Sequence, residues 1–85
     1  MIKSLDYLRS YGIDVDDKLI TKLKRHQKRY GFKDLDICAY YDNIQDFYDD
    51  WTSIGYTKTE ARKLLHGGQG EFMILNTGGI IRFVL

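Results

Sequence analysis

The C-terminal stretch constrains the fold more than any other. Glu71 to Leu75 and Ile80 to Leu85 are apolar runs flanking Asn76-Thr77-Gly78-Gly79, the pattern of a β-hairpin with a four-residue loop. Its last strand, IIRFVL, has Arg82 as its only charged residue. At a sheet edge it would offer unpaired backbone groups to another chain, and a homodimer through this strand is then conceivable. In the centre of a sheet, its continuous apolar character is explained by burial.

Upstream the period changes twice. Ser4 is placed to cap a short helix over Leu5 to Tyr11, with Gly12 at its end. Asp14 can cap a second helix, Val15 to Tyr30, with Asp16 and Asp17 in its first turn and Gly31 closing it. Val15, Leu19, Leu23, His26 and Tyr30 share one side, with Ile20 at the border, while Lys18, Lys22, Arg25 and Arg29 lie opposite. From Phe32 to Tyr41 the pattern alternates: Leu35, Ile37, Ala39 and Tyr41 against Asp36, Cys38 and Tyr40. That is a strand with one polar face.

Two helices follow. Across Asp42 to Gly55, Ile44, Phe47, Tyr48, Trp51 and Ile54 fall on one side and Asp42, Asp46, Asp49 and Asp50 on the other. Asp42 is the expected cap, with Gln45 as its capping-box partner. Thr57 to Glu60 is another capping box, opening a helix through His66 with Ala61, Leu64 and Leu65 inward. The expected fold is α+β in the order α-α-β-α-α-β-β: a small three-stranded, mainly antiparallel sheet with helices on one face.

Eighty-five residues suit a single domain, 1–85, with no room for a second core. A chain of this size is expected to be stable by only about 4–13 kcal/mol. A lone cysteine, Cys38, excludes an internal disulfide and fits a reducing compartment. The N-terminus lacks an apolar signal-peptide core, and no apolar run is long enough to span a membrane. A cytoplasmic protein without membrane attachment is the expectation.

The net charge of +1 conceals strong segregation. Residues 1–17 sum to −2, residues 18–33 carry seven basic and no acidic side chains, residues 34–50 carry six aspartates and nothing basic, and residues 51–85 sum to +2. Such blocks mark either two partner surfaces or two segments lying against each other.

Catalytic chemistry finds little support. His26, Cys38 and His66 match no metal-ligand spacing, and no cofactor or metal is expected. The glycines of His66-Gly67-Gly68-Gln69-Gly70 follow a helix and precede a strand, which suits a left-handed cap and chain reversal rather than a phosphate loop. No nuclease pattern accompanies Asp34, Asp36, Asp49 or Asp50, so an enzyme is not expected. The helix pair around Ser53 to Thr57 resembles a helix-turn-helix with Lys58, Arg62 and Lys63 on its second helix. Its acidic first helix opposes phosphate contact.

The acidic block is the feature that points to function. It has no compensating lysine at i+4, and Asp34 and Asp36 extend it towards the N-terminus. At ~1.5 Å rise per residue, Asp42, Asp46 and Asp50 would repeat about every 6 Å, near the phosphate spacing of one nucleic-acid strand. Tyr40, Tyr41 and Tyr56 add interface-prone aromatic surface.

In general character, Asp34, Asp36, Asp42, Asp46, Asp49 and Asp50 with their interleaved tyrosines resemble small phage and mobile-element anti-defence proteins. These include anti-CRISPR inhibitors and acidic DNA mimics. The resemblance implies a non-enzymatic inhibitor that occupies the basic nucleic-acid groove of a host defence nuclease. Its expected contact residues are Asp34, Asp36, Tyr40, Asp42, Asp46, Asp49, Asp50 and Tyr56. The alternatives are direct nucleic-acid binding through Lys18, Lys22, Arg25 and Arg29 on the basic helix, or an oligomerising accessory protein.

Overall fold

A computed structural model describes residues 2–85. The elements are β1 (Ile2–Lys3), α1 (Leu5–Ser10), α2 (Asp17–Tyr30), β2 (Leu35–Tyr41), α3 (Ile44–Ser53), α4 (Lys58–Leu65), β3 (Phe72–Ile74) and β4 (Ile80–Phe83). The α+β class is as expected, but the sheet has four strands in the order β1-β2-β4-β3. β1 runs parallel to β2, and the other pairings are antiparallel. The added strand is two residues long, too short for any periodicity to announce it.

β4 sits between β2 and β3. Its backbone groups are paired on both sides, which removes the free edge on which a homodimer through this strand would depend. Alternate residues of β4 enter different cores. Ile81 and Phe83 join Leu8, Leu19, Leu23, Leu35 and Ile37, whereas Ile80 joins Phe47, Tyr48, Trp51, Ala61 and Leu65. Because successive strand side chains point to opposite faces, α1 and α2 cover one face of the sheet and α3 and α4 the other. The expectation of helices on one face is therefore corrected. The apolar run of β4, interrupted only by Arg82, is that of a strand buried on both sides.

A β-bulge in β2 explains a second departure. Ile37 pairs with Phe83 and Ala39 with Arg82, which leaves Cys38 as the extra residue. The insertion reverses the alternation. Tyr40 packs with Leu35 and Ile37 on the α1/α2 side, and Tyr41 packs with Phe47 on the α3/α4 side. Cys38 itself is exposed.

Helix ends differ from expectation by one or two residues where several polar residues compete to cap. Asp16, not Asp14, caps α2 and accepts from Leu19 N–H at 2.9 Å. Asn43, not Asp42, caps α3 and accepts from Asp46 N–H at 2.9 Å. Ser4 makes no side-chain cap because it occupies a left-handed turn (φ 69°) between β1 and α1. Thr57 and Glu60 form the full capping box of α4, with reciprocal bonds of 3.1 Å. The hairpin closes as expected, with Leu75 N–H donating to Gly79 O at 2.7 Å.

His26 ties α2 to the loop before β3. Its Nε2–H donates to Gly70 O at 2.7 Å, and its ring lies 5.0 Å from that of Phe83. Burial lowers its pKa below the usual histidine value, overcoming the carbonyl bond that favours the charged ring, with Arg29 reinforcing the drop. The unfolded chain therefore binds this proton more readily. Stability from neutral His26 is fully present above about pH 6.5 and is lost as pH falls through the lower folded value. His26→Gln keeps a donor and removes the titration. Unfolding titrations from about pH 7.5 to about pH 5 should show a shallower stability loss in the variant. Identical pH slopes would contradict this role.

Candidate partner-binding surfaces

The central turns of α3 bury Phe47, Tyr48 and Trp51, and this anchoring sets the opposite side of the helix in solvent. Asp46, Asp49 and Asp50 lie there, with Asp42 just ahead of the Asn43 cap, and all four are exposed. Asp42 stands outside the helix, so the regular axial repeat holds for Asp46 and Asp50 and does not extend to it. Tyr41 Oη–H donates to Asp50 at 2.6 Å and Gln45 Nε2–H to Asp49 at 2.8 Å. Burial of Tyr41, then its bond to Asp50 and the nearby negative charge, raise the phenol pKa strongly, so Tyr41 remains a donor.

Among the described residues, no cation lies within salt-bridge distance of these four aspartates. The ion pairs among the described residues are Lys3–Asp34, Arg9–Asp6 and Arg82–Glu71. Cations of α4 turn elsewhere: Arg62 Nε–H donates to Tyr48 Oη at 3.2 Å and Lys58 Nζ lies 5.1 Å from the Tyr48 ring centroid. Asp50 also occupies the last turn of α3, which has no basic residue and where the helix dipole disfavours negative charge. Asp46, in the first turn, is favoured by the dipole, but Asp50 has neither an ion pair among the described residues nor a favourable dipole.

Ile44 and Ile54, expected inward, are 46% and 65% exposed. The core reaches only the middle of α3, leaving an isoleucine at each end of the stripe. Tyr56 is partly exposed, its ring 5.1 Å from Trp51 in an edge-to-face contact. Residue periodicity set both isoleucines with the buried side of α3 and carried no information on where the core stops.

The remaining expected contact residues fall elsewhere. Asp34 pairs with Lys3 at 3.5 Å. Asp36 is half-buried opposite Lys3 in the β1–β2 pairing. Tyr40 packs on Tyr11 at 5.1 Å, on the far side of the sheet. Asp46, Asp49 and Asp50 therefore share the exposed side of α3, with Asp42 just ahead of it and Tyr56 beyond its end beside Trp51. Asp34, Asp36 and Tyr40 lie on or before β2, and burial together with the nearby Asp42 carboxylate raises the Tyr40 pKa.

The basic block takes the other side of the molecule. Lys18, Lys22, Arg25 and Arg29 have no carboxylate within salt-bridge distance among the described residues. Since α2 and α3 cover opposite faces of the sheet, the acidic and basic blocks do not neutralise each other. Lys22, Arg25 and Arg29 line a groove of about 740 Å³ with Lys63, the 66–70 loop and β3, whereas Lys18 borders a smaller depression beside Asn76. The groove is the feature that linear reading missed, because its walls come from segments some forty residues apart.

No three His, Cys, Asp or Glu side chains converge on a metal-sized site among the described residues, and no helix there is long and apolar enough to cross a membrane. No protein-family model, curated protein or solved structure matches the chain.

Proposed function

We propose that the protein is a non-enzymatic binding protein that inhibits a nucleic-acid-handling enzyme, such as a host defence nuclease, by filling its basic groove with the α3 surface. One observation carries this reading. The charged residues on the exposed side of α3 are all acidic, none has an ion-pair partner among the described residues, and an exposed isoleucine stands at each end of the helix. The carboxylates match a groove built for phosphates, and the isoleucines with Tyr56 supply the apolar contact typical of a protein interface. The anti-defence role is a proposal on the same footing, resting on the general resemblance of the acidic, tyrosine-rich segment.

The test is binding to a captured partner before and after charge reversal. Asp46→Lys/Asp50→Lys should weaken binding at least about 100-fold, since two favourable contacts become repulsive in a desolvated interface. Added nucleic acid should displace the wild-type protein from its partner. A partner held equally by both proteins would remove the groove-filling mechanism.

A further inference from the structure

Independently of the acidic face, we propose that the groove between α2, the 66–70 loop and β3 binds a phosphate ester of nucleotide size, carried by a single-stranded nucleic acid or by a free nucleotide. Four cations, Lys22, Arg25, Arg29 and Lys63, line it without a carboxylate partner among the described residues. Glu71 also lines it, but its carboxylate is held by Arg82 at 2.9 Å. The concentration of unpaired positive charge in a concave space is the electrostatic condition for an anionic ligand.

The glycine-rich loop strengthens the assignment. It lacks the following helix that a sequence-level phosphate loop requires, yet the fold seats Gly70 against Tyr30 of α2, and the loop shares one groove with Lys22, Arg25 and Arg29. His26 fixes its position through Gly70 O. The N–H groups of Gly68, Gln69 and Gly70 donate to no group in the described chain. Gly68 and Gly70 both have positive φ, 79° and 81°, the kind of alternation that forms anion-binding backbone concavities. Cations and amides together fit phosphate oxygens better than either alone.

Two features favour a nucleotide over a bare ion. The volume of about 740 Å³ lies within the usual range for small-molecule sites. Exposed Ile74 and half-buried Leu64 give the same groove an apolar wall for a sugar or base. Lys22 Nζ donates to Ile74 O at 2.9 Å, which places its charge at the end of the groove along β3.

Fluorescence anisotropy with a labelled oligothymidylate of about six nucleotides tests the assignment. Binding should weaken with salt at a log–log slope of roughly −0.7 per phosphate contacted. Arg25→Gln/Arg29→Gln preserves helix propensity and should weaken binding at least tenfold, with an unchanged circular dichroism spectrum. Asp46→Lys/Asp50→Lys should bind the oligonucleotide at least as well as wild type, which separates this site from the acidic surface. Displacement by thymidine monophosphate at matched phosphate concentration identifies a free nucleotide as the ligand source. Displacement by oligonucleotide alone identifies a strand. Absence of binding, equal binding by the arginine variant, or equal displacement by polyglutamate would overturn the proposal.

Discussion

Gly70→Ala is expected to destabilise the protein by about 2–5 kcal/mol, a large share of the total available to a chain of this size. Two effects combine. Gly70 has φ +81°, where a β-carbon costs about 1–2 kcal/mol. That carbon would also stand 2.5 Å from Tyr30 Cγ, 2.8 Å from Tyr30 Cβ and 2.9 Å from Phe32 Cε2. The first two atoms lie close to the α2 backbone and cannot swing away as the end of a long side chain can. Either the loop withdraws from α2, straining the His26–Gly70 bond, or the aromatic packing opens. Gly68→Ala is the natural control: its φ is +79°, but nothing lies within 4 Å of the added carbon, so only the backbone cost remains. Chemical denaturation should separate the two variants clearly. Equal losses would show that the close approach to Tyr30 contributes nothing.

Phe47→Ala is expected to be at least as damaging, at about 3–5 kcal/mol. Phe47 is fully buried and its ring meets those of Tyr41, Tyr48, Trp51 and Phe72 at 5.3–6.1 Å. It therefore joins β2, α3 and β3 at one point. At roughly 4–8 °C per kcal/mol for a domain of this length, the midpoint of thermal unfolding should fall by more than about 12 °C. Phe47→Leu, which keeps most of the apolar volume, should lose less than half as much. Were the alanine variant to lose under about 1 kcal/mol, α3 would not be anchored as described. The same anchoring presents the acidic stripe, so loosening Phe47 should also weaken partner binding without touching an aspartate.

Much of this fold was legible in the sequence because local and tertiary preferences agree. The hairpin around Asn76 to Gly79, the amphipathic α2 and the Thr57–Glu60 capping box all follow from short-range chemistry. What escaped depends on partners distant in the chain. Cys38 looks like an ordinary strand residue, and only the register against β4 makes it the bulge that exchanges the faces of Tyr40 and Tyr41. β1 exists because Ile2 and Lys3 can pair with Leu35 and Asp36, not because two residues carry a strand signal. The run Ile80 to Leu85 held the clue to helices on both faces, since a half-covered strand alternates and this one does not.

The surfaces were legible to different degrees. The acidic side of α3 follows directly from its spacing, and the exposed Asp46, Asp49 and Asp50 lie where the pattern sets them. The basic residues of α2 were equally plain, but the groove they help to form required the glycine loop to fold back across the sheet edge. Charge blocks alone also left open whether acid and base lie together. The sheet sets the aspartates of α3 and the basic residues of α2 on opposite faces.

Affinity capture from a bacterial lysate at low salt, after nuclease digestion, tests the central claim most directly. It is run in parallel with wild type and Asp46→Lys/Asp50→Lys. The expected result is a basic, nucleic-acid-binding protein retained by wild type, released by salt or added nucleic acid, and absent with the variant. Capture of the same protein by both, or loss of all wild-type capture on nuclease digestion, would contradict an acidic groove-filling surface.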